Sequence, residues 1–179
     1  MGTLNVSNVN ATGNLNLGGS WTDAPPGTII QIAFAESGPA RQTIVSATPQ
    51  TITGLSISFT PRLASSKIII SAMINSSETY VTSFGVFQDG SPTCSTAGET
   101  NLNQNNMDIT MYDNVNQTNQ MYCTPLQTML SATNTNTRTY DIRAVSDWDG
   151  QGPYTLFINN RTQNDMASFS RMFIYEVAQ

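Results

Sequence analysis

Residues 167–178 read ASFSRMFIYEVA, an almost unbroken apolar run at the end of the sequence, where most domains fray. In an extended chain Phe169, Phe173, Tyr175 and Val177 share one face, and Met172, Ile174 and Ala178 share the other. A strand apolar on both faces belongs between neighbours, with packing on either side. The stretch therefore predicts a fold that closes by inserting its last strand centrally.

Working back from that strand, the chain alternates strand and turn. Ile30, Ile32 and Phe34 alternate in one segment, and Leu55, Ile57 and Phe59 in another that Pro61 ends. KIIISAMIN, 67–75, is apolar on one face at Ile68, Ile70, Ala72 and Ile74 and half apolar on the other. Thr79 to Gln88 runs into the turn Asp89-Gly90-Ser91-Pro92. Strands are also expected at Tyr122–Leu130, at Arg138–Asp147 with Tyr140, Ile142 and Ala144 facing in, and at Tyr154–Asn159. No window carries a helical period of useful length. The reading is all-β, an antiparallel sandwich of roughly seven to nine strands.

The beginning of the chain differs. From Val9 onward Val9, Ala11, Gly13, Leu15 and Leu17 alternate strictly with Asn and Thr, while Leu4 and Val6 sit in the opposite phase. Extended, this segment reaches about 45–50 Å at ~3.3 Å per residue. A lone strand with one apolar stripe does not stay ordered in water, and copies of itself are its simplest partner. Gly18-Gly19-Ser20 and Asp23-Ala24-Pro25-Pro26-Gly27 then break the chain, with Trp21 between them as a packing plug. The division expected is an extended trimerisation segment over 1–20, a linker over 21–27 and a globular head over 28–179.

Composition narrows the function. Of 179 residues, 11% are charged, Lys67 is the only lysine, and the net charge is −5. Nucleic acid, which calls for a basic footprint, is an unsuitable partner. No apolar run approaches the ~20 residues of a membrane-spanning helix, and the N-terminus lacks the pattern of a signal peptide. Thr, Asn and Ser supply a neutral hydrogen-bonding surface that suits β-structure and contact with sugars. Cys94 and Cys123 bracket a polar insertion; buried thiols are the reading adopted, with a disulfide across the insertion the alternative.

Two stretches carry a resemblance to known families. Phe169-Ser170-x-x-Phe173-Ile174-Tyr175 resembles the closing strand of C1q/TNF-like jelly rolls. Ile174-Tyr175-Glu176-Val177-Ala178 resembles the final strand of phage tail-fibre head domains. FTPRLASSKIIISAMI, 59–74, occupies the place of the C1q-like strand pair leading to the core. Phe87-Gln88-Asp89-Gly90-Ser91-Pro92 is similar to its strand-ending turn. The long Asn-rich insertion departs from that family, and the calcium-binding acids of some C1q heads have no counterpart. Both families are trimeric binding heads, and the N-terminal stripe resembles the intertwined shafts of phage fibres. The resemblance thus implies a homotrimer with Leu4, Val6, Val9, Leu15 and Leu17 lining the shaft axis. It also implies that Phe169, Met172, Phe173, Ile174 and Tyr175 belong to the core or trimer contacts of the closing strand.

Catalysis finds little support. Without any histidine, Ser-His-Asp and Cys-His relays are impossible. No phosphate loop or dinucleotide fingerprint is present. A glycosidase needs only two carboxylates, and Asp108, Asp113, Asp147 and Asp149 are the candidates. Recognition has better material. Asp147-Trp148-Asp149-Gly150-Gln151-Gly152 joins two expected strands. It is an ordinary turn, a binding tip with Trp148 stacked on a sugar ring, or a weak Ca²⁺ site at Asp147 and Asp149 without the rest of a calcium loop. Residues 95–121 form the longest polar segment, yet contain Met107, Ile109, Met111 and Tyr112. These cover a neighbouring subunit, build an extra edge strand or form a receptor surface. Hydrogen bonds to a sugar would come from Asp147 and Asp149 or from Asn106 and Asn114, with Tyr112 the second aromatic candidate. No cofactor is expected.

The function expected is non-catalytic attachment of a virion to a host-surface glycan or protein by a trimeric fibre tip, made in the host cytoplasm and docked to other virion proteins. The alternative is a structural virion component, a head fibre or decoration protein, using the same fold for assembly; a polysaccharide-cleaving fibre enzyme stands behind both. About twenty residues precede the head, which fits a very short fibre or a piece of a longer one.

Overall fold

The computed structural model describes residues 24–78, 81–94, 107–112, 120–147, 153–161 and 163–179. The N-terminal stripe, with Leu4, Val6, Val9, Leu15 and Leu17, lies outside them. Among the described residues the chain is all-β, without a helix. Its strands are β1 (Ile29–Ser37), β2 (Gln42–Ile44), β3 (Gln50–Phe59), β4 (Lys67–Glu78), β5 (Val81–Gln88) and β6 (Ser91–Pro92). They continue with β7 (Ile109–Tyr112), β8 (Tyr122–Ser131), β9 (Arg138–Val145), β10 (Leu156–Ile158) and β11 (Ser170–Val177).

These strands make two antiparallel sheets in a β-sandwich of the jelly-roll type. The front sheet runs β1-β11-β4-β10-β2, with β8 on the other side of β4. The back sheet runs β3-β9-β5-β6, with β7 sharing the outer edge of β5. The closing strand β11 is inserted between β1 and β4, as its apolar sequence predicts. Between the sheets, Ile68, Ile70 and Ile74 of β4 and Met172 and Ile174 of β11 meet Leu55, Ile57 and Phe59 of β3 and Tyr140 and Ile142 of β9. Strict alternation places these side chains on one face of each strand.

Two expectations about faces are corrected. Ile30, Ile32 and Phe34 do not share a face, because a register shift between Ile29 and Gln31 reverses the phase of β1. Ile30 is buried, whereas Ile32 and Phe34 point outward and Ala33 and Ala35 pack on the core. In the single chain the closing strand is fully covered on one face and partly covered on the other. Met172 and Ile174 are fully buried, Phe173 and Tyr175 are half-buried on the outer face, and Phe169 precedes the strand and is exposed. Phe169 is therefore not a core residue of the single chain.

The back sheet holds a second, smaller core. Every residue from Val81 to Phe87 is buried, because Phe87, Met107 and Val145 cluster on the outer face. Residues after Met107 form the extra edge strand β7, one of the readings left open by the sequence. Pro92 pairs with Phe87 and Ile109 with Phe84, so β6 and β7 are two halves of one interrupted edge strand. In the break, Thr93 N–H donates to Val86 O at 2.9 Å and Asp108 Oδ2 accepts Val86 N–H at 2.7 Å.

Backbone geometry fixes the remaining corners. Asp89 and Gly90 both have positive φ, 50° and 84°, as a tight hairpin turn requires. Gly54, at φ 87°, lets β3 approach β1: a Cβ there would stand 2.8 Å from the Glu36 carbonyl oxygen. Gly27 N–H donates to Ala178 O and Ala178 N–H to Thr28 O, each at 2.9 Å, so the described chain enters and closes at one end.

Candidate recognition surface

Strand register defines the two ends. Lys67 pairs with both Val177 and Ser131, which places the β3–β4 and β8–β9 connections at the end where the chain enters. Ser76 pairs with Tyr122 and Ile158, and Ser83 with Val145. The start of β8, the end of β9 and the β4–β5 connection therefore lie at the opposite end. Between the sheets on that side the apolar alternation gives way to buried hydroxyls at Ser76, Thr82, Thr124 and Ser146.

There the connection from β9 to β10 has a closed neck. Tyr154 N–H donates to Ser146 O at 2.8 Å, and Ser146 N–H donates to Ser46 O at 3.1 Å. Ser146 Oγ reaches Val81 O at 3.3 Å, so the neck is tied to β5 and to the segment after β2. Beside it runs an open polar groove lined by Gln42, Thr43, Ser46, Gln50 and Thr51, with Ile44 and Val45. Its polar groups are held in place. Gln42 Nε2 donates to Thr51 O at 3.0 Å while its Oε1 accepts Thr53 N–H at 2.8 Å, extending the open edge of β3 as a backbone amide would. Ser46 Oγ donates to Thr48 O at 2.8 Å and accepts Thr48 N–H at 3.1 Å. Without a charged lining residue, the groove offers neutral donors and acceptors that match hydroxyl-bearing ligands.

The sequence candidates fall into three groups. Asp147, expected at an exposed tip, is buried at 1% exposure and has a partner within the fold, because β9 stays covered through Val145 and Ser146 into it. Its carboxylate is not a solvent-facing sugar contact. Trp148, Asp149, Asn106, Asn114 and Asp113 lie outside the described residues. Tyr112 ends β7 with its backbone opposite Val81, and its side chain lies outside the description. For calcium, Asp147 is turned inward, and among the described residues no group of three or more His, Cys, Asp or Glu gathers. Both cysteines are free; Cys123 is exposed on β8 and Cys94 half-buried, so neither is the buried thiol expected.

Two acidic residues organise the frame, one of which, Glu176, the sequence reading missed. Glu176 is fully buried on the core face of β11, the one charge in that alternation. Its carboxylate accepts Arg62 N–H at 2.8 and 2.9 Å, Leu63 N–H at 2.9 Å and Ser66 Oγ–H at 2.7 Å, clamping the β3–β4 connection. A lone Glu between apolar residues of one strand face was the available signal. Asp108, considered for catalysis, seals the break between β6 and β7. Burial pushes its carboxyl above the ordinary value of 3.8, against the lowering effect of the Val86 amide and the Thr128 hydroxyl.

The fold thus defines a jelly-roll-type β-sandwich in which the described chain enters and closes at one end and the polar groove lies at the other. No protein-family model matches the chain, and no curated protein matches it. Among solved structures it is similar to one described as "Crystal structure of infectious bursal disease virus VP2 subviral particle". The TM-score is 0.35 at 11% identity, over 85% of this chain and 39% of that one. The chain thus spans well under half of that chain, and a likeness of this size carries no inference about activity or partners.

Proposed function

We propose that this chain is a non-catalytic virion attachment protein, a homotrimer that binds a host-surface glycan or protein receptor at the end opposite the one where the described chain enters and closes. The observation that supports it most is the separation of ends. The described chain enters and closes at Gly27–Ala178. The tied neck at Ser146–Tyr154 and the uncharged groove beside it stand at the other end. A scaffold anchored at one end and carrying loops at the other is suited to presenting a recognition surface. Trp148 and Asp149 follow Asp147 in the sequence, and in this reading Trp148 is the stacking aromatic and Asp149 a hydrogen-bond acceptor. Docking to other virion proteins falls to the N-terminal side, and the place of action is the virion.

The test is adsorption of the full chain to host cells together with binding to a glycan array. Trp148→Ala is expected to lose adsorption, amplified by three-fold avidity, with trimer mass and Tm nearly unchanged. Unchanged adsorption with a lowered Tm assigns Trp148 to packing and moves the site to Tyr112. A structural virion component, a head fibre or decoration protein, is the second reading, favoured by the apolar outer face of the front sheet, which suits assembly. Wild-type protein that binds neither cells nor glycans leaves that reading standing alone. Release of reducing sugar ends from host polysaccharide would establish the catalytic reading instead.

A further inference from the structure

One arginine of the back sheet is held in place with its terminal donors unused. Arg143 of β9 donates from Nε to Asp141 Oδ2 at 2.6 Å, and its guanidinium carbon lies 4.5 Å from the centre of the Phe87 ring. Phe87 is itself buried, so the platform beneath the guanidinium is fixed. The Arg143 side chain is 24% exposed, and among the described residues its Nη1 and Nη2 have no hydrogen-bond partner. Arg161, by contrast, uses both Nε and Nη2 on Asp165, and Arg138 uses Nη2 on Thr133 and Asn134. The hairpin glycine leaves one side of Nη2 uncovered, since a Cβ at Gly90 would stand 3.8 Å from it. Asp141 Oδ2 also accepts the Thr51 hydroxyl at 3.0 Å, and Thr51 stands opposite Arg143 in the β3–β9 register. Thr51 is at the same time a wall of the neutral groove. Groove and guanidinium are thus joined through Thr51 and one carboxylate oxygen.

We infer that Arg143 is the subsite for the carboxylate of an acidic sugar whose ring hydroxyls lie along the groove at Gln50 and Thr51. This rests on the receptor-binding reading above and names its ligand class, a glycan that carries a sugar acid. The chemistry of the free groups selects the ligand. Nη1 and Nη2 present donors only, in a planar fork, while the Asp141 carboxylate is 7% exposed and its Oδ2 already accepts twice. The ligand group must therefore be an acceptor, and a carboxylate matches the fork with two parallel hydrogen bonds. Asp141 cancels the charge of Arg143, and the register neighbours Thr51 and Gly85 add no second cation. That suits one singly charged group better than a doubly charged phosphate. The uncharged groove beside the fork calls for hydroxyls on the same molecule, which a sugar acid carries. Stacking on Phe87 and the bond to Asp141 order the guanidinium before the ligand arrives, so little ordering is left for binding to accomplish.

The test is binding of the full chain to an array that carries sugar acids beside their carboxyl-reduced counterparts, in which the acid has become a primary alcohol. Wild type should prefer the acids by roughly 10- to 100-fold, a preference that shrinks as salt is raised. Arg143→Lys keeps the charge and a partner for Asp141 but loses the fork. It should lose most of the preference for acids while its Tm stays near that of wild type. A lysine variant that keeps the whole preference overturns the inference. Phenylglyoxal labelling of wild type, read by mass spectrometry, needs no substitution and decides the matter if the variant misfolds. A sugar acid should slow labelling at Arg143 and its reduced counterpart should not; labelling that the bound acid leaves unchanged overturns the inference. Equal affinity for acids and reduced counterparts overturns it too, while the receptor-binding reading stands. Wild type that binds neither cells nor any glycan overturns both. Preference for phosphorylated or sulfated sugars gives the fork to another anion and overturns the carboxylate assignment. Adsorption that protease treatment of the cells abolishes, with the array blank, gives it to a protein carboxylate and overturns the sugar.

Discussion

Glu176 and Asp108 show how single carboxylates serve this sandwich as backbone partners. Glu176 is buried with four hydrogen bonds from the β3–β4 connection, two of its donor groups being backbone N–H. Glu176→Ala leaves those part-buried amides without their acceptor, at about 1–3 kcal/mol each. The expected loss is about 3 kcal/mol, or roughly 6–12 °C in Tm for a domain of this size, measured by thermal melting. Asp108 behaves differently because burial raises its carboxyl above 3.8 in the fold. A raised folded value means that the native state binds the proton more tightly than the unfolded chain does. Its contribution is complete below 3.8 and lost as pH rises through the folded value. The stability of wild type relative to Asp108→Asn should therefore increase as pH is lowered from 7 toward 4, read by urea unfolding at each pH. A difference that shrinks over that range would contradict the burial argument.

At the scale of the element, β11 ties the fold together. It pairs with β1 along one edge and β4 along the other, and its Met172 and Ile174 are fully buried. Ile174→Asp puts an unpaired charge between the sheets, at a cost of several kcal/mol, on the order of the whole margin of stability. Soluble folded protein should be lost, measured by expression and circular dichroism; a folded variant with weaker binding would make β11 a surface element. The edge of β5 shows the opposite principle. There one strand is broken into β6 and β7, and the Asp108 carboxylate takes the Val86 N–H that a continuous partner strand would have taken. An insertion is tolerated at such an edge because only a few ladder bonds need replacing.

At the scale of the molecule, the end where the described chain enters is separate from the end that carries the groove. The chain enters beside its own last strand, and the uncharged groove and the Ser146 neck are at the far end. A chain beginning at Pro25 keeps every described strand. By light scattering it should remain at least partly trimeric, because the outer face of the front sheet is still present. The full-length chain should be trimeric at lower concentration than the shortened one. A stable monomer from the full-length chain would remove the trimer from the account.

Much of the sandwich was legible in the sequence, and the reason is the period of two. Leu55, Ile57 and Phe59, or Tyr140, Ile142 and Ala144, have one way to be buried together, and Pro61 and Asp89-Gly90 mark where strands must stop. The centrality of 170–177 followed from the same rule. Which face of β1 is inward did not, since one register shift at Ile29–Gln31 turns Ile32 and Phe34 out, and no local signal announces it. The short strands β2 and β6 were equally hidden, and β7 was one of three open readings: such brief segments become strands only because a neighbouring edge offers them partners. Asp147 read as a tip and is buried, and Glu176 read as part of an apolar strand and is a clamp. Pattern along the chain decides which residues leave water. Only the tertiary structure decides which polar groups go with them, because their hydrogen-bond partners come from segments far away in sequence.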